Sequence, residues 1–364
     1  MSTSRLSFFR SALASLISAL CWHAAIAQEP LTVSAAERDA VVRTLSQKLS
    51  SHYVFADVAT RIGRELPQRV HRYPPDLAAT DFAARLSNDL RELGNDKHFR
   101  VFVDPRFRER AEPDAIPNAD ELERQRVDMT SAAFGIENVS RLPGNVGYLE
   151  VRGFGPAEWT GPAYAAAFTL LDGSDALILD LRRNGGGSPD SVALLLSHLF
   201  ARGDQRHLND IATRSTGVTQ QYWTLPSVTE RYIKPVYVLT SPRTFSGGEE
   251  AAYDLQTQKR AVLVGQTTGG GANAGDRFSL GHALVVNIPT AQAINPVTKT
   301  NWEHVGVKPD VEVPAADAQR VAYVAILRLL AAQATDPERA GALNRWLAMA
   351  EKGESPIPVY EMRH

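Results

Sequence analysis

A serine at the start of a predicted helix is the first residue of this chain that could carry covalent chemistry. Residues 236–240, Val-Tyr-Val-Leu-Thr, have the pattern of a strand, and a short turn then leads through Ser246 into a helical pattern. A helix start offers unpaired backbone N–H groups and the positive end of the helix dipole, which can stabilise an oxyanion on a substrate carbonyl. Serine is also a favoured N-cap, so the local pattern fits a structural role as well.

A second glycine-rich turn follows another predicted strand. Residues 177–187 run from Leu-Ile-Leu-Asp into three consecutive glycines, Gly185, Gly186 and Gly187. Glycines after a buried strand leave backbone N–H groups bare and allow another segment to approach closely. The phosphate-binding pattern Gly-x-x-x-x-Gly-Lys-Ser/Thr occurs neither here nor around residues 265–271, and a plain turn is the alternative interpretation.

A serine hydroxyl is a weak nucleophile unless a neighbouring base activates it. His98 follows a tight turn and opens a predicted strand over residues 98–103, a position from which a side chain can project into a cleft. His282 and His304 are competing candidates that spacing does not rank. Glu303, in a loop, is a carboxylate that could orient such a histidine. Each of these residues taken singly also fits an ordinary structural or surface role.

The first 27 residues have the pattern of an export signal. Arg5 and Arg10 precede a short apolar core, and Ala-Ile-Ala at 25–27 is a small-x-small cleavage site. Cys21, the only cysteine, lies inside this segment, so a mature chain from about Gln28 has neither a disulfide nor a thiolate metal site. The apolar core is too short to span a bilayer after processing. The sequence therefore predicts a periplasmic or secreted protein without a stable membrane anchor.

The charge balance bears on possible partners. The whole chain has a formal charge of −2, and loss of the two arginines in residues 1–27, which contain no acidic residue, makes it −4. A nucleic-acid-binding protein is expected to carry basic patches instead, so no nucleic acid is predicted as a partner. No clustered metal ligands and no cofactor-binding motif were found, so the prediction is for no metal and no cofactor.

Alternating strand and helix patterns predict an α/β core. Because the strands are almost fully apolar and helices lie between them, we expect βαβ units in a parallel-rich sheet with helices on both faces. The predicted core strands are 146–151, 176–181, 236–240, 261–265 and 283–288, with helices at 158–171, 191–201 and 246–256. The predicted organisation is a signal peptide (1–27), an N-terminal unit of three helices ending in a strand (28–103), a charged connector with little structure (104–143), the α/β core (144–315) and C-terminal helices (316–364).

Four segments in order resemble the tail-specific proteases, also called C-terminal processing peptidases, which form serine peptidase family S41. They are residues 177–187, 244–249, 264–269 and 306–310, and the resemblance extends from about residue 35 to 315. It implies a crotonase-like ββα-type core and a serine peptidase that cleaves peptide bonds through an acyl-enzyme intermediate. The implied partner is a peptide or protein substrate.

Two catalytic designs occur in that family, and the residues here favour one. The bacterial enzymes use a serine–lysine dyad, but the loop at 267–272 contains no lysine and Lys259 comes too early. The connector at 104–143 is also too short for the PDZ domain of those enzymes. The chain is similar instead to the branch with the tricorn core and the interphotoreceptor retinoid-binding protein repeats, which has a serine–histidine–glutamate arrangement.

Carried over residue by residue, the resemblance implies Ser246 as nucleophile, His98 as general base and Glu303 as the acid that orients the histidine. It implies an oxyanion hole formed by the N–H groups of Gly247 and of one triplet glycine, for which we predict Gly186.

One position departs from the tricorn pattern. Lys97 stands where the tricorn arrangement has a second serine immediately before the histidine. A three-member arrangement is chemically sufficient without it. Two alternatives stay open: a non-catalytic carrier of an apolar ligand on the same fold, and a hydrolase of small esters or amides.

Overall fold

The computed structural model describes residues 31–75, 77–109 and 119–354, so the predicted signal peptide lies outside the described residues. The helices of the described part are α1 (Ala35–His52), α2 (Ala56–Val70), α3 (Ala79–Gly94), α4 (Ala119–Ser131), α5 (Ala157–Leu171), α6 (Pro189–Ser197), α7 (Gly247–Thr257), α8 (Ala315–Gln333) and α9 (Pro337–Glu351). The strands are β1 (Thr32–Val33), β2 (Leu77–Ala78), β3 (Arg100–Val103), β4 (Ile136–Leu142), β5 (Val146–Val151), β6 (Ala176–Asp180), β7 (His207–Thr213), β8 (Thr219–Trp223), β9 (Val236–Thr240), β10 (Val262–Gly265), β11 (Asn273–Gly281), β12 (Leu284–Ile294) and β13 (Val311–Glu312). Of the helices in these ranges, none is long and apolar enough to cross a bilayer.

A six-stranded sheet forms the centre of the fold, in the order β13-β10-β9-β6-β5-β4. All neighbouring pairs are parallel except β4 with β5. Every residue of β5 and β6 is buried because helices cover both faces. Leu177 and Leu179 pack toward α5, α6 and α7, whereas Ile178 packs toward α8. The predicted α/β core with a parallel-rich sheet is confirmed.

A second, antiparallel sheet carries the N-terminal helices. Its order is β11-β12-β7-β8, and β3 pairs with one end of β12. Helices α1 to α3 share one apolar core with this sheet, to which Phe278, Leu284 and Ile288 contribute. This packing, together with the pairing of β3, brings the turn before β3, which contains His98, toward the central sheet.

The prediction that residues 104–143 have little structure is wrong for its described part. Helix α4 lies there, and β4 pairs with β5 at the edge of the central sheet. The sequence pattern hid both elements, because α4 has no buried residue and β4 is only partly buried. An edge strand and a surface helix need no continuous apolar face.

Candidate active site

Ser246 ends the turn between β9 and α7, and its backbone is unusual. Its φ of 53° and ψ of −123° lie outside the regions that ordinary residues prefer, and the residue is half-buried. Such backbone conformations persist where the surroundings hold them, and they are concentrated at functional sites. Gly247 and Gly248 follow at once, and a side-chain carbon on Gly248 would lie 2.6 Å from Oδ1 of Asn184. Glycine here therefore lets the helix start come close to the loop after β6.

Glu249 holds the nucleophile turn to a neighbouring loop. Its buried carboxylate accepts hydrogen bonds from the N–H groups of Ser246 (3.0 Å), Gly270 (2.6 Å) and Gly271 (2.9 Å) and from the hydroxyl of Thr268. Burial raises the pKa of Glu249, and these hydrogen bonds oppose that rise. One side chain thus fixes Ser246 relative to residues 268–271.

The glycine triplet lies directly against the nucleophile. A side-chain carbon on Gly186, whose φ is 96°, would lie 2.7 Å from Cβ of Ser246 and 2.9 Å from the nitrogen of Gly247. Only glycine fits this position without displacing the backbone.

Two of the three triplet amides already have acceptors. The N–H of Gly185 donates to the carbonyl of Arg152 at 3.1 Å, and that of Gly186 donates to Oδ1 of Asn184 at 2.8 Å. The amides of Gly187 and Gly247 form no hydrogen bond within the part of the chain that the structure describes. A side-chain carbon on Gly247 would lie 3.1 Å from the nitrogen of Gly187, so the two free amide groups are neighbours.

His98 packs against the residue that precedes the nucleophile. Helix α3 ends at Gly94, Asn95 follows in the left-handed conformation typical of a helix C-terminus, and the chain then turns into β3. The centroid of the His98 ring lies 4.6 Å from that of Phe245, and the side chain is only 10% exposed. Both ring nitrogens are buried without a hydrogen-bond partner in the described residues. The histidine is therefore held by packing on Phe245, the residue before Ser246, and no hydrogen bond joins the side chains of His98 and Ser246.

Glu303 lies in the loop between β12 and β13, anchored by the buried Trp302, whose indole N–H donates to the carbonyl of Gly271 at 2.7 Å. Its Oε2 accepts the N–H groups of Ala272 and Asn273, while its Oε1 is buried without a hydrogen-bond partner among the described residues. Burial is the main cause that raises the pKa of Glu303.

The charges around Glu303 show which groups are its neighbours. After burial, the nearby Asp96 carboxylate raises the pKa of Glu303 further, while His98 and His304 act in the opposite direction. The site therefore gathers two carboxylates and a histidine beside the nucleophile loop.

Asp96 was not predicted as a site residue. It is 1% exposed, and its Oδ1 accepts the backbone N–H of His98 at 2.9 Å and lies 3.4 Å from Nδ1 of the same residue. Its Oδ2 accepts from Nδ2 of Asn273 at 3.0 Å and from the hydroxyl of Tyr53 at 3.5 Å. The signal available in the sequence was an aspartate two residues before the histidine in a tight turn.

The competing histidines occupy different surroundings. His282 is 38% exposed and pairs with Glu37 at 3.1 Å, at the turn between β11 and β12. His304 is 49% exposed, with Nδ1 3.5 Å from Oε1 of Glu303. Of the three candidates, His98 is the one buried against the nucleophile turn. Lys97 is exposed and donates from Nζ to the carbonyl of Gly269.

Two protein-family models match parts of this chain. Residues 145–313 match the model of peptidase family S41, and residues 25–136 match the model of the N-terminal domain of Peptidase_S41 in eukaryotic IRBP. The chain therefore contains a peptidase S41 domain and an N-terminal S41 domain. The S41 model spans the loops that carry Ser246, the glycine triplet and Glu303, and the N-terminal model spans His98.

Relatives of this S41 chain include C-terminal processing proteases. It is 27% identical over 176 residues to the carboxy-terminal processing protease CtpB of Bacillus subtilis, covering 48% of this chain and 35% of that protein. It is 29% identical over 204 residues to the carboxyl-terminal-processing protease of Synechocystis sp., covering 55% and 45%. The chain thus spans less than half the length of these curated relatives.

A solved structure shows the same fold. The photosystem II D1 C-terminal processing protease is 18% identical, with a TM-score of 0.50, and the match covers 77% of this chain and 94% of that one.

Proposed function

We propose that this chain is a serine peptidase that cleaves peptide bonds through Ser246, His98 and Glu303. The observation that carries the proposal is that Ser246 lies at a helix start, beside two unoccupied amide groups, in a turn whose Phe245 packs on the ring of His98. A nucleophile, a base and donors for an oxyanion are the parts that acyl transfer requires.

In the proposed reaction one ring nitrogen of His98 takes the hydroxyl proton of Ser246 as its oxygen attacks the substrate carbonyl. The tetrahedral intermediate collapses when the histidine returns that proton to the leaving amine, which breaks the peptide bond and leaves an ester on Ser246. A water molecule, activated by the same histidine, then hydrolyses the ester and restores the serine.

The second oxyanion donor is proposed to be Gly187. Our sequence-based prediction named Gly186, but its N–H is taken by Oδ1 of Asn184. The amides of Gly187 and Gly247 are free and adjacent, so they are the pair that can bind a developing oxyanion without first losing a hydrogen bond.

Glu303 is the proposed partner of the histidine, and Asp96 is proposed as a positioning residue. Both oxygens of Asp96 already accept hydrogen bonds, whereas Oε1 of Glu303 and both nitrogens of His98 have none within the described ranges. Buried polar groups without partners are costly, so pairing His98 with Glu303 would relieve two of them at once. Catalytic hydrogen bonds are often long in free enzymes and shorten when substrate binds, which accounts for their absence here.

Several broader expectations complete the proposal. The substrate class is a peptide or protein, by likeness to the C-terminal processing proteases. The core is proposed to be crotonase-like, with the N-terminal helices as a unit attached to it. Export to the periplasm or the medium rests on the pattern of residues 1–27.

The test combines covalent labelling with hydrolysis. A fluorophosphonate probe should label the wild-type chain at Ser246, and a mixed peptide library should be cleaved by it. Ser246→Ala should lose both while its circular dichroism spectrum is unchanged. Absence of labelling and of cleavage in the wild type would contradict the proposal and favour a carrier, whereas labelling with cleavage of small esters only would favour the ester hydrolase.

A further inference from the structure

A cavity of about 660 Å³ opens beside the glycine triplet and is not used by the chemistry proposed above. Its walls come from the starts of α5 and α6, from β8 and from Leu225, two residues after β8, and its volume is within the range of small-ligand sites. Its apolar walls include Phe154, Tyr222, Trp223 and Leu225, and its acidic side chains are Glu158 and Asp190.

The cavity begins where the proposed oxyanion hole ends. The N–H of Phe154 donates to the carbonyl of Gly186 at 2.9 Å, and the N–H of Ser188 donates to the carbonyl of Phe154 at 2.8 Å. Phe154 and Ser188 both line the cavity. Gly187, which lies between Gly186 and Ser188 in the chain, forms the backbone bridge with Phe154. The cavity therefore adjoins the segment that carries Gly187, the proposed oxyanion donor.

The cavity is acidic. Of the described residues that line it, none is lysine, arginine or histidine. Partial burial and the nearby Glu158 carboxylate raise the pKa of Asp190, so the two acidic groups are close enough to interact. His207, which stacks on the wall residue Trp223 with ring centroids 4.3 Å apart, is engaged by Asp210 at 2.7 Å.

A third carboxylate, that of Glu250, lies behind the cavity wall and has one oxygen without a hydrogen-bond partner in the described residues. Glu250 lies on α7, one turn after Ser246, and is 4% exposed. Its Oε1 has no hydrogen-bond partner in the described residues. Burial raises the pKa of Tyr222, a wall residue, and the charges of Asp190 and Glu250 raise it further, so this tyrosine lies near both carboxylates. A cation bound in the cavity would favour the ionised form of this buried carboxyl group.

The side chains around the cavity suit an organic cation better than a metal ion. Within residues 31–75, 77–109 and 119–354, no group of three or more His, Cys, Asp or Glu side chains is arranged to hold a metal. Aromatic and aliphatic walls with carboxylates suit an alkyl stem that ends in an ammonium or guanidinium, because the stem packs on apolar surface and the head pairs with the acids.

We propose that this cavity binds the lysine or arginine side chain of the substrate residue whose carbonyl Ser246 attacks. The proposal rests on the proposed peptidase function and adds a preference for basic residues before the scissile bond. Asp190 makes the direct ion pair, and Glu250 adds negative potential from behind the wall.

The experiment compares fluorogenic peptides that differ only in having lysine, leucine or glutamate before the scissile bond. The wild type should favour lysine over leucine and reject glutamate. Asp190→Asn should lower the lysine-to-leucine ratio of kcat/KM by about tenfold to a hundredfold, and Glu250→Gln should lower it less. Asp317→Asn, an exposed aspartate in the first turn of α8, should leave the ratio unchanged.

The outcomes separate the two proposals. If fluorophosphonate labels Ser246 and peptides are cleaved, but the lysine-to-leucine ratio is near one or does not respond to Asp190→Asn, the cavity proposal is overturned and the peptidase stands. If no peptide is cleaved, benzamidine binding to the Ser246→Ala chain, followed by calorimetry, still tests the cavity. Binding that weakens about tenfold in a Ser246→Ala/Asp190→Asn chain supports it, and binding that is absent or insensitive to Asp190 overturns it.

Discussion

The two halves of the candidate site are built differently. On the nucleophile side, Glu249 accepts hydrogen bonds from three backbone N–H groups and one hydroxyl, and it fixes Ser246 to the adjacent loop. On the base side, both nitrogens of His98 and Oε1 of Glu303 are buried without partners in the described part of the chain. Hydrogen bonds fix the nucleophile turn, whereas on the base side they fix the backbone of His98 and one oxygen of Glu303 and leave the ring of His98 held by packing.

This difference follows from how far apart the residues are in sequence. Ser246 and Glu249 belong to one helix start, so a local motif assembles them. His98 and Glu303 come from distant segments and meet only because the N-terminal helices and the antiparallel sheet share a core. The structure thus fixes the nucleophile firmly and leaves free hydrogen-bonding capacity at the base, where substrate binding has most to change.

The largest expected effect comes from removing the base. His98→Ala should lower kcat/KM for peptides by about a hundredfold to ten-thousandfold, because the serine hydroxyl loses its proton acceptor. The melting temperature should fall modestly, because the buried ring that packs on Phe245 is lost, so activity is compared at a temperature well below it. His282→Ala and His304→Ala are the matched controls, and near wild-type activity in His98→Ala would transfer the role to one of them.

Replacing the Glu249 carboxylate should affect both folding and activity. Glu249→Gln places an amide N–H₂ among N–H donors, so buried donors lose their acceptor, at a cost of about 2–4 kcal/mol in the free energy of unfolding. Activity should also fall, because Ser246 is no longer held. Denaturant unfolding with Glu65→Gln, an exposed glutamate of α2, as control measures this. A Glu249→Gln chain as stable as the wild type would remove Glu249 from its proposed role.

The two carboxylates near His98 can be told apart. Glu303→Gln should lower kcat about tenfold to a hundredfold with a small effect on stability, because it removes the proposed partner of the imidazolium. Asp96→Asn should lower kcat less and destabilise the fold more, because it disturbs the turn before β3. The reverse order in kcat would make Asp96 the acid of the triad.

The smallest expected effect concerns Glu250, which follows Glu249 in α7. Burial raises the pKa of Glu250 well above its ordinary value, and one of its oxygens is unpaired. The contribution of Glu250 to the free energy of unfolding is therefore greatest below a pH of about 4.5. That contribution is lost as the pH rises through the raised pKa. Glu250→Gln should gain a few degrees of melting temperature relative to the wild type between pH 5 and 8. A gain in melting temperature that does not increase with pH would contradict the prediction that Glu250 ionises in this range.

The sequence predicted the elements with continuous apolar patterns. The predicted strands 146–151 and 236–240 coincide with β5 and β9, because fully buried strands have unmistakable composition. Strands β8 and β11 were missed, since most residues of β8 and several of β11 are exposed and the apolar pattern is broken. Their stability comes from pairing with other strands, which no single segment shows.

Within the site, the sequence allowed the residues of one local motif to be assigned. It did not show which backbone N–H groups are free to bind an oxyanion. Ser246 and Gly247 are recognisable from a strand followed by a helix start. Gly187 could not be distinguished from Gly186, because the difference depends on the Asn184 side chain and the turn it stabilises. Asp96 escaped notice because its role depends on Asn273, far along the chain.

The most direct test is a crystal structure of the wild-type chain after reaction with a peptidyl phosphonate. We expect phosphorus bonded to Oγ of Ser246, with the phosphoryl oxygen within hydrogen-bond distance of the amides of Gly187 and Gly247. We also expect that His98 donates a hydrogen bond to Oε1 of Glu303. Phosphorus on another residue, or His98 still without a bond to Ser246 or Glu303 in the adduct, would contradict the account.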